Sequence, residues 1–303
     1  MSDRPEPTAP AAHTPSAVEV RGLVKRRGAF HLGPLDLRVP VGFVTGFVGA
    51  NGAGKTTTIK AMLGMVRPDA GTVRVPDRDR IGVVLDAPFL VPDWRVTEAA
   101  RALRPLYSRW DERQFAALTD RFGLRPHQKV KDLSRGESTK LMVALALAHD
   151  PDLLILDEPT AGLDPAARLD LIDLLREFML DERHSVVFST HITTDLETFA
   201  DQVVVIHDGV IHFTGARDDL VESYAMARGG PDDLTPASER LTHGLRRTPT
   251  GFEALIATTD TAAFGPGVVM ETPTIDDVVA RLGRGPTRHS TALADPQHRS
   301  AAA

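Results

Sequence analysis

Residues Gly49-Ala50-Asn51-Gly52-Ala53-Gly54-Lys55-Thr56 keep the spacing G-x-x-x-x-G-K-[ST]. They follow an apolar stretch, 43–48, and open a segment of helical character, 56–65. Glycines at these places let the backbone wrap phosphate oxygens with its N–H groups turned inward. The helix that follows aims its positive end at the same anion. In such a loop Lys55 is expected to reach the β and γ phosphates of a nucleotide, and Thr56 to set its hydroxyl on Mg²⁺. Thr57, next on the helix, is counted with the binding residues. The ordinary alternative is a glycine-rich strand–helix turn with no ligand. The Lys-Thr pair in register and both flanking elements weigh against it.

A second group is Leu153-Leu154-Ile155-Leu156-Asp157-Glu158: four apolar residues, then two acids. A buried strand that ends this way delivers both carboxylates to the C-terminal edge of a parallel sheet, where such folds bind ligands. Asp157 is placed to hold Mg²⁺, directly or through water. Glu158 is placed to act as general base on an attacking water. Acids that merely end a strand in solvent are the common case. The phosphate loop upstream makes that the lesser reading here.

These groups need a scaffold, and the chain supplies one. Its 303 residues are 42% hydrophobic and 25% charged, which suits one large domain or one domain with a small appendage. Cysteine is absent, which excludes a disulfide framework, a thiol nucleophile and a thiolate metal site. The longest apolar run, 141–148, is too short to cross a bilayer. The N-terminal stretch lacks the apolar core of a secretory signal, so a cytoplasmic location is expected. A net charge of −6 and 5% aromatic residues argue against nucleic acid as a direct partner.

Strand and helix signals alternate from 18 to 215, indicating an α/β fold with a mainly parallel core sheet. Strands are expected at 18–23, 35–39, 43–48, 72–75, 81–85, 153–156, 186–188, 203–206 and 210–213. A helical subdomain at about 88–148 interrupts the alternation, and 165–180 reads as an amphipathic helix with Leu169, Ile172, Leu175 and Met179 on one face. Residues 216–284 read as a small α+β extension, with an apolar cluster at Phe252, Leu255 and Ile256, a strand at 268–270 and a helix at 273–282. The segments 1–17 and 285–303 read as disordered tails.

Over 18–215 the sequence resembles the ATP-binding subunits of ABC transporters. The resemblance rests on several motifs in the family's order. Leu133-Ser134-Arg135-Gly136-Glu137 resembles the signature LSGGQ. The run Asp157 to Asp164 resembles the second nucleotide motif continuing into the D-loop. Ser189-Thr190-His191 matches the switch histidine, and 81–86 stands where the family has the Q-loop. The resemblance implies a P-loop fold with an antiparallel β subdomain and an α-helical subdomain. It also implies ATP and Mg²⁺ as cofactors, and a head-to-tail pair of such domains with each ATP between one phosphate loop and the other chain's signature. Ser134, Gly136 and Glu137 would then contact nucleotide in trans, with Asp164 at the same seam. His191 would contact the γ-phosphate and orient the water with Glu158. A capping or core histidine is the ordinary alternative.

Three positions depart from the family pattern. Asp86 stands for the Q-loop glutamine, and as a carboxylate it is expected to keep a role near the metal. Arg135 replaces a signature glycine, either turned outward or paired with phosphate, and Glu137 replaces the glutamine. Arg27 stands about where the family stacks adenine on an aromatic ring. It either stacks on the base, with Phe30 near, or is a surface charge beside a core Phe30. The departures resemble a subgroup that serves bacterial ABC-2-type and drug-resistance exporters. A membrane-spanning permease and a second nucleotide-binding domain are the partners this implies, with the chain peripheral on the cytoplasmic face. The alternative is a non-transport ABC ATPase acting as a regulatory, ribosome- or nucleic-acid-associated module.

Overall fold

The computed structural model describes residues 15–282. Most of the two expected tails lies outside the described residues. The boundary at 17 shifts, however, because strand β1 (Ser16–Arg27) begins inside that stretch and the Pro15 carbonyl accepts the Val41 N–H at 2.8 Å. Strand β2 (Phe30–Pro40) returns antiparallel to β1 through a turn at Gly28. Strand β3 (Val44–Val48) is buried at every position and runs into the phosphate loop and helix α1 (Lys55–Met62). Helix α1 stops short of the expected residue 65 because Gly64 turns the chain at φ 68°. Strand β4 (Ala70–Arg74) completes a three-stranded antiparallel sheet, β2-β1-β4, and β5 (Ile81–Val84) starts the main sheet.

The interrupting segment is helical as expected: α2 (Val96–Leu103), α3 (Glu112–Arg121) and α4 (Arg135–Leu147). Asp111 caps α3 by accepting the N–H groups of Arg113 at 2.7 Å and Gln114 at 3.2 Å. The apolar run at 141–148 is the buried C-terminal half of α4 with its capping residue Ala148. Among the described residues no helix is long and apolar enough to cross a membrane.

The chain then alternates: β6 (Leu153–Asp157), α5 (Pro165–Phe178), β7 (Ser185–Thr190), α6 (Thr193–Phe199), β8 (Gln202–His207) and β9 (Val210–Ala216). The main sheet has the order β5-β6-β7-β3-β8-β9 and is parallel except for β9, which turns back at Asp208-Gly209. Side chains alternate between its two faces with period two. Phe47, Leu153, Ile155, Val187 and Val204 pack toward β1, β2 and α1. Val48, Leu154, Leu156, Phe188 and Val205 pack with α4, α5 and α6. Each such fully buried side chain stabilises the fold by about 1.5–3 kcal/mol relative to exposure. One expectation fails on α5: Leu169 is 64% exposed, while Leu171, Ile172, Leu174 and Leu175 are buried. Two residues are about 200° on a helix, so a stripe centred on 171–175 turns Leu169 outward.

The C-terminal part is more ordered than its sequence pattern suggests. Helix α7 (Arg217–Glu222), β10 (Tyr224–Gly229), α8 (Pro236–Glu239), β11 (Thr242–Thr248), β12 (Gly251–Ala257), β13 (Val269–Glu271) and α9 (Ile275–Leu282) follow in turn. The strands form one antiparallel sheet, β11-β12-β10-β13. Met226, Leu255, Ile275, Val278 and Leu282 belong to the same buried cluster as Leu154 and Phe188, so the extension shares the main core.

Candidate active site

The phosphate loop lies at the C-terminal end of β3, a central strand flanked by β7 and β8. A Cβ on Gly49 would stand 2.1 Å from the Ile206 carbonyl, and Gly54 adopts φ 117° against Leu32, so both places require glycine. Lys55 opens α1, is 5% exposed, and donates to the Gly49 carbonyl at 2.7 Å and to Ala50 at 3.4 Å. Its Nζ also stands 3.0 Å from Glu158 Oε1.

The acids at the end of β6 are fixed by the neighbouring strand. Asp157 lies opposite Ser189 in the parallel β6–β7 register. The Ser189 hydroxyl donates to Asp157 Oδ1 at 2.5 Å and accepts the Glu158 N–H at 3.1 Å. Glu158 takes φ 52°, a left-handed conformation uncommon outside glycine, which carries its side chain off the strand line. Its Oε2 lies 2.7 Å from His191 Nδ1 and accepts the His191 N–H at 3.3 Å. The carboxylate of Glu158 thus bridges Lys55 and His191. The histidine side chain is 44% exposed and Glu158 only 12%, so the imidazole forms the outer wall.

A cleft of about 370 Å³ opens over these groups. Ala50, Asn51, Gly52, Ala53, Gly54, Lys55, Thr56, Thr57 and Glu158 line it, together with Arg27, Phe30 and Asp86. Both candidates for the base are therefore at its rim. Arg27 is exposed, while Phe30 is half-buried and packs against the β1–β2 core. Asp157 lies beneath the loop, 1% exposed, with no cationic side chain within 4.0 Å among the described residues. A buried carboxylate without a cation partner is costly, and a divalent ion beside Thr56 would supply one, so the residues fit Mg²⁺.

The signature residues lie apart from this cleft. Ser134 and Glu137 form a reciprocal cap on α4: Ser134 N–H donates to Glu137 Oε2 at 2.8 Å, and Glu137 N–H to Ser134 Oγ at 3.2 Å. The Ser134 N–H and hydroxyl hold the Glu137 carboxyl below the usual range. Ser134 is exposed and Gly136 half-exposed beside it, so the positive end of α4 faces solvent. Arg135 is exposed at the surface and lines no part of this cleft. Its guanidinium donates to Asp86 at 2.9 Å, and its stem lies over Gly162. Asp164 caps α5 by accepting the Ala167 N–H at 2.9 Å and lines no part of this cleft. Sequence reasoning missed Ser189 as a partner of Asp157. The signal was present, a hydroxyl two residues before His191 on the strand beside β6.

A phosphate loop on a central parallel strand, with an Asp-Glu strand end and a facing histidine, defines a P-loop nucleotide hydrolase. Residues 32–161 match the family described as ABC transporter. The Nod factor export ATP-binding protein I of Burkholderia orbicola (strain AU 1054) is 37% identical over 228 residues, covering 68% of this chain and 73% of that protein. The daunorubicin/doxorubicin resistance ATP-binding protein DrrA of Streptomyces peucetius is 35% identical over 224 residues, covering 68% and 67% respectively. A solved ATP-binding subunit of an ABC transporter superposes with a TM-score of 0.63 at 28% identity, over 68% of this chain and 92% of that one. The chain belongs to the ATP-binding proteins of ABC transporters, and it is an ATPase.

Proposed function

We propose that the chain powers an ABC-type exporter by binding and hydrolysing ATP between two nucleotide-binding domains. The relatives named for Nod factor export and for drug resistance support the outward direction. The outward-facing cap of α4 supports contact in trans, with the Ser134 hydroxyl and Gly136 N–H meeting the γ-phosphate of a partner's ATP. Glu137 would accept hydrogen bonds from the ribose hydroxyls of that nucleotide, and Asp164 sits at the same seam. Gly49 to Thr57 cradle the phosphates, and Arg27 or Phe30 borders the base. Thr56 and Asp157 would hold Mg²⁺, with Asp86 near, and the ion would neutralise phosphate charge. Glu158 takes the proton of the attacking water, and His191 holds the water and carboxylate in line.

The membrane partner is the finer part of the reading. One observation carries it: an apolar groove of about 550 Å³ beside the Asp86 segment. Met62, Met65, Val83, Leu85, Phe89 and Tyr107 line it, with Phe89 50% and Met65 57% exposed. A short amphipathic helix of a permease fits such a surface. With that partner the chain is peripheral on the cytoplasmic face, and no direct nucleic-acid contact is needed. The same reading divides the chain into an ATPase unit from β1 through β9, residues 16–216, and an extension that begins with α7. Co-expression with the membrane protein encoded beside it tests the proposal. The parent chain should co-purify with that protein, and Phe89→Asp should lose it while keeping ATP binding. Recovery with ribosomes instead would sink the exporter reading.

A further inference from the structure

We infer that Asp195 is a positioning residue of the hydrolytic site, tying the segments that carry Glu158 and His191 into one unit. This rests on the roles given above to those two residues. Asp195 lies on α6 and is 1% exposed. Its Oδ2 accepts the Thr160 hydroxyl at 2.7 Å and faces the Thr190 hydroxyl at 3.5 Å. Its Oδ1 accepts Arg168 Nε at 2.5 Å. Thr160 is two residues beyond Glu158, and Thr190 immediately precedes His191. Thr190 Oγ1 in turn accepts the Ile192 N–H at 2.9 Å, so the backbone on both sides of His191 is held from this point. Arg168 closes the network by donating to Thr194 at 2.7 Å.

The location is what a positioning role requires. Glu158 sits in left-handed backbone, so the direction of its carboxylate depends on how its flanks are anchored. One anchor is Ser189, before the turn; the other is Thr160, after it, through Asp195. A buried carboxylate is retained only with good partners, and here every partner lies on a segment bordering the catalytic pair or on the helix that follows the D-loop. A displacement of the Thr160 segment therefore moves the His191 segment with it. Reaction geometry is sensitive to such shifts, since misplacement by an ångström costs about 100-fold in rate.

The test uses the full chain and the near-isosteric variants Thr160→Val and Thr190→Val, with Asp195→Asn as the central change. Each valine variant is expected to lower kcat by about tenfold or more while KM for ATP and ATP affinity stay within about twofold. The ring signals of His191 in nitrogen–proton NMR spectra should move in both. Adding Thr160→Val to Asp195→Asn should lower kcat no further, because those two act through one carboxylate, whereas Thr190→Val keeps an effect of its own through the Ile192 N–H. Parent-like kcat and unmoved His191 signals in the two valine variants would overturn the inference. So would equal losses in kcat and ATP affinity, which mark a structural role. Glu158→Gln serves as the separate control. If it leaves hydrolysis intact, the general-base reading fails; if it abolishes hydrolysis while the valine variants stay at parent rate, only the Asp195 inference fails.

Discussion

Arg135 and Asp86, the two most conspicuous departures from the family's motifs, are each other's partners, 2.9 Å apart within one chain. The pair joins the signature helix α4 to the segment that follows β5, and the arginine stem covers Gly162 in the D-loop. Both side chains are more than half exposed, so the pair is worth about 0–1 kcal/mol in stability. Its effect lies in where it holds two loops. A double-mutant cycle of Asp86→Asn and Arg135→Gln should therefore show small, non-additive shifts in the Mg²⁺ dependence of ATPase activity. Unfolding free energies of the single variants should stay within about 1 kcal/mol of the parent. Strict additivity in the cycle would mean the contact has no functional part.

Glu158 is, among the described residues, the sole carboxylate on His191 and is held on two sides, at Lys55 and at Ser189. Glu158→Gln keeps the shape but removes the proton acceptor. ATP affinity should persist while steady-state hydrolysis drops by about 100-fold or more. Light scattering of that variant with Mg·ATP should report a doubled mass, because the trapped pair no longer turns over. Turnover at the parent rate would remove Glu158 from the role of base.

His149 gives a pH signature. Burial pushes its imidazole down to about 4 from an ordinary 6.5. It is stacked on Tyr107 with ring centroids 3.8 Å apart. Between those values the unfolded chain binds the proton and the native chain does not, so stability rises with pH across the window. The contribution is complete above about 6.5 and is lost as pH falls toward about 4. Urea midpoints should therefore fall between about pH 7 and pH 5, and His149→Phe, which keeps a ring against Tyr107, should flatten that slope. An unchanged slope would show that other groups carry the acid sensitivity.

The C-terminal extension makes a fourth case. Because α9 and the inner face of β10 and β12 share the main core, the full chain should melt in one transition by calorimetry. A chain ending at Ala216 uncovers the side of α6 that α9 covers, and should aggregate or melt several degrees lower. A monomeric truncated chain with parental Tm would show that the ATPase unit stands alone.

Much of this was legible in the sequence. The phosphate loop, the Asp-Glu strand end and the parallel strands around them announce themselves because each couples a local pattern to a chemistry. The strand 153–157 is apolar at four successive positions and reads as buried on both faces, which it is. The strands at 224–229 and 242–248 did not show. Their residues, YAMARG and THGLRRT, lack alternation and carry Ala, Gly and Arg, so their pairing depends on β12 rather than on themselves. The partnership of Asp86 with Arg135 was equally invisible, because 49 positions separate the two and only the fold brings them together. Leu169 misled for a simpler reason: one of several leucines on α5 falls outside the buried arc, and spacing alone does not say which.

The ammonium of Lys55 has an anionic companion of its own chain, and that companion is the group assigned to accept the water's proton. A terminal phosphate that engages this lysine must compete with the carboxylate for it. The reach of this lysine is therefore divided between an internal partner and any anion the loop takes up.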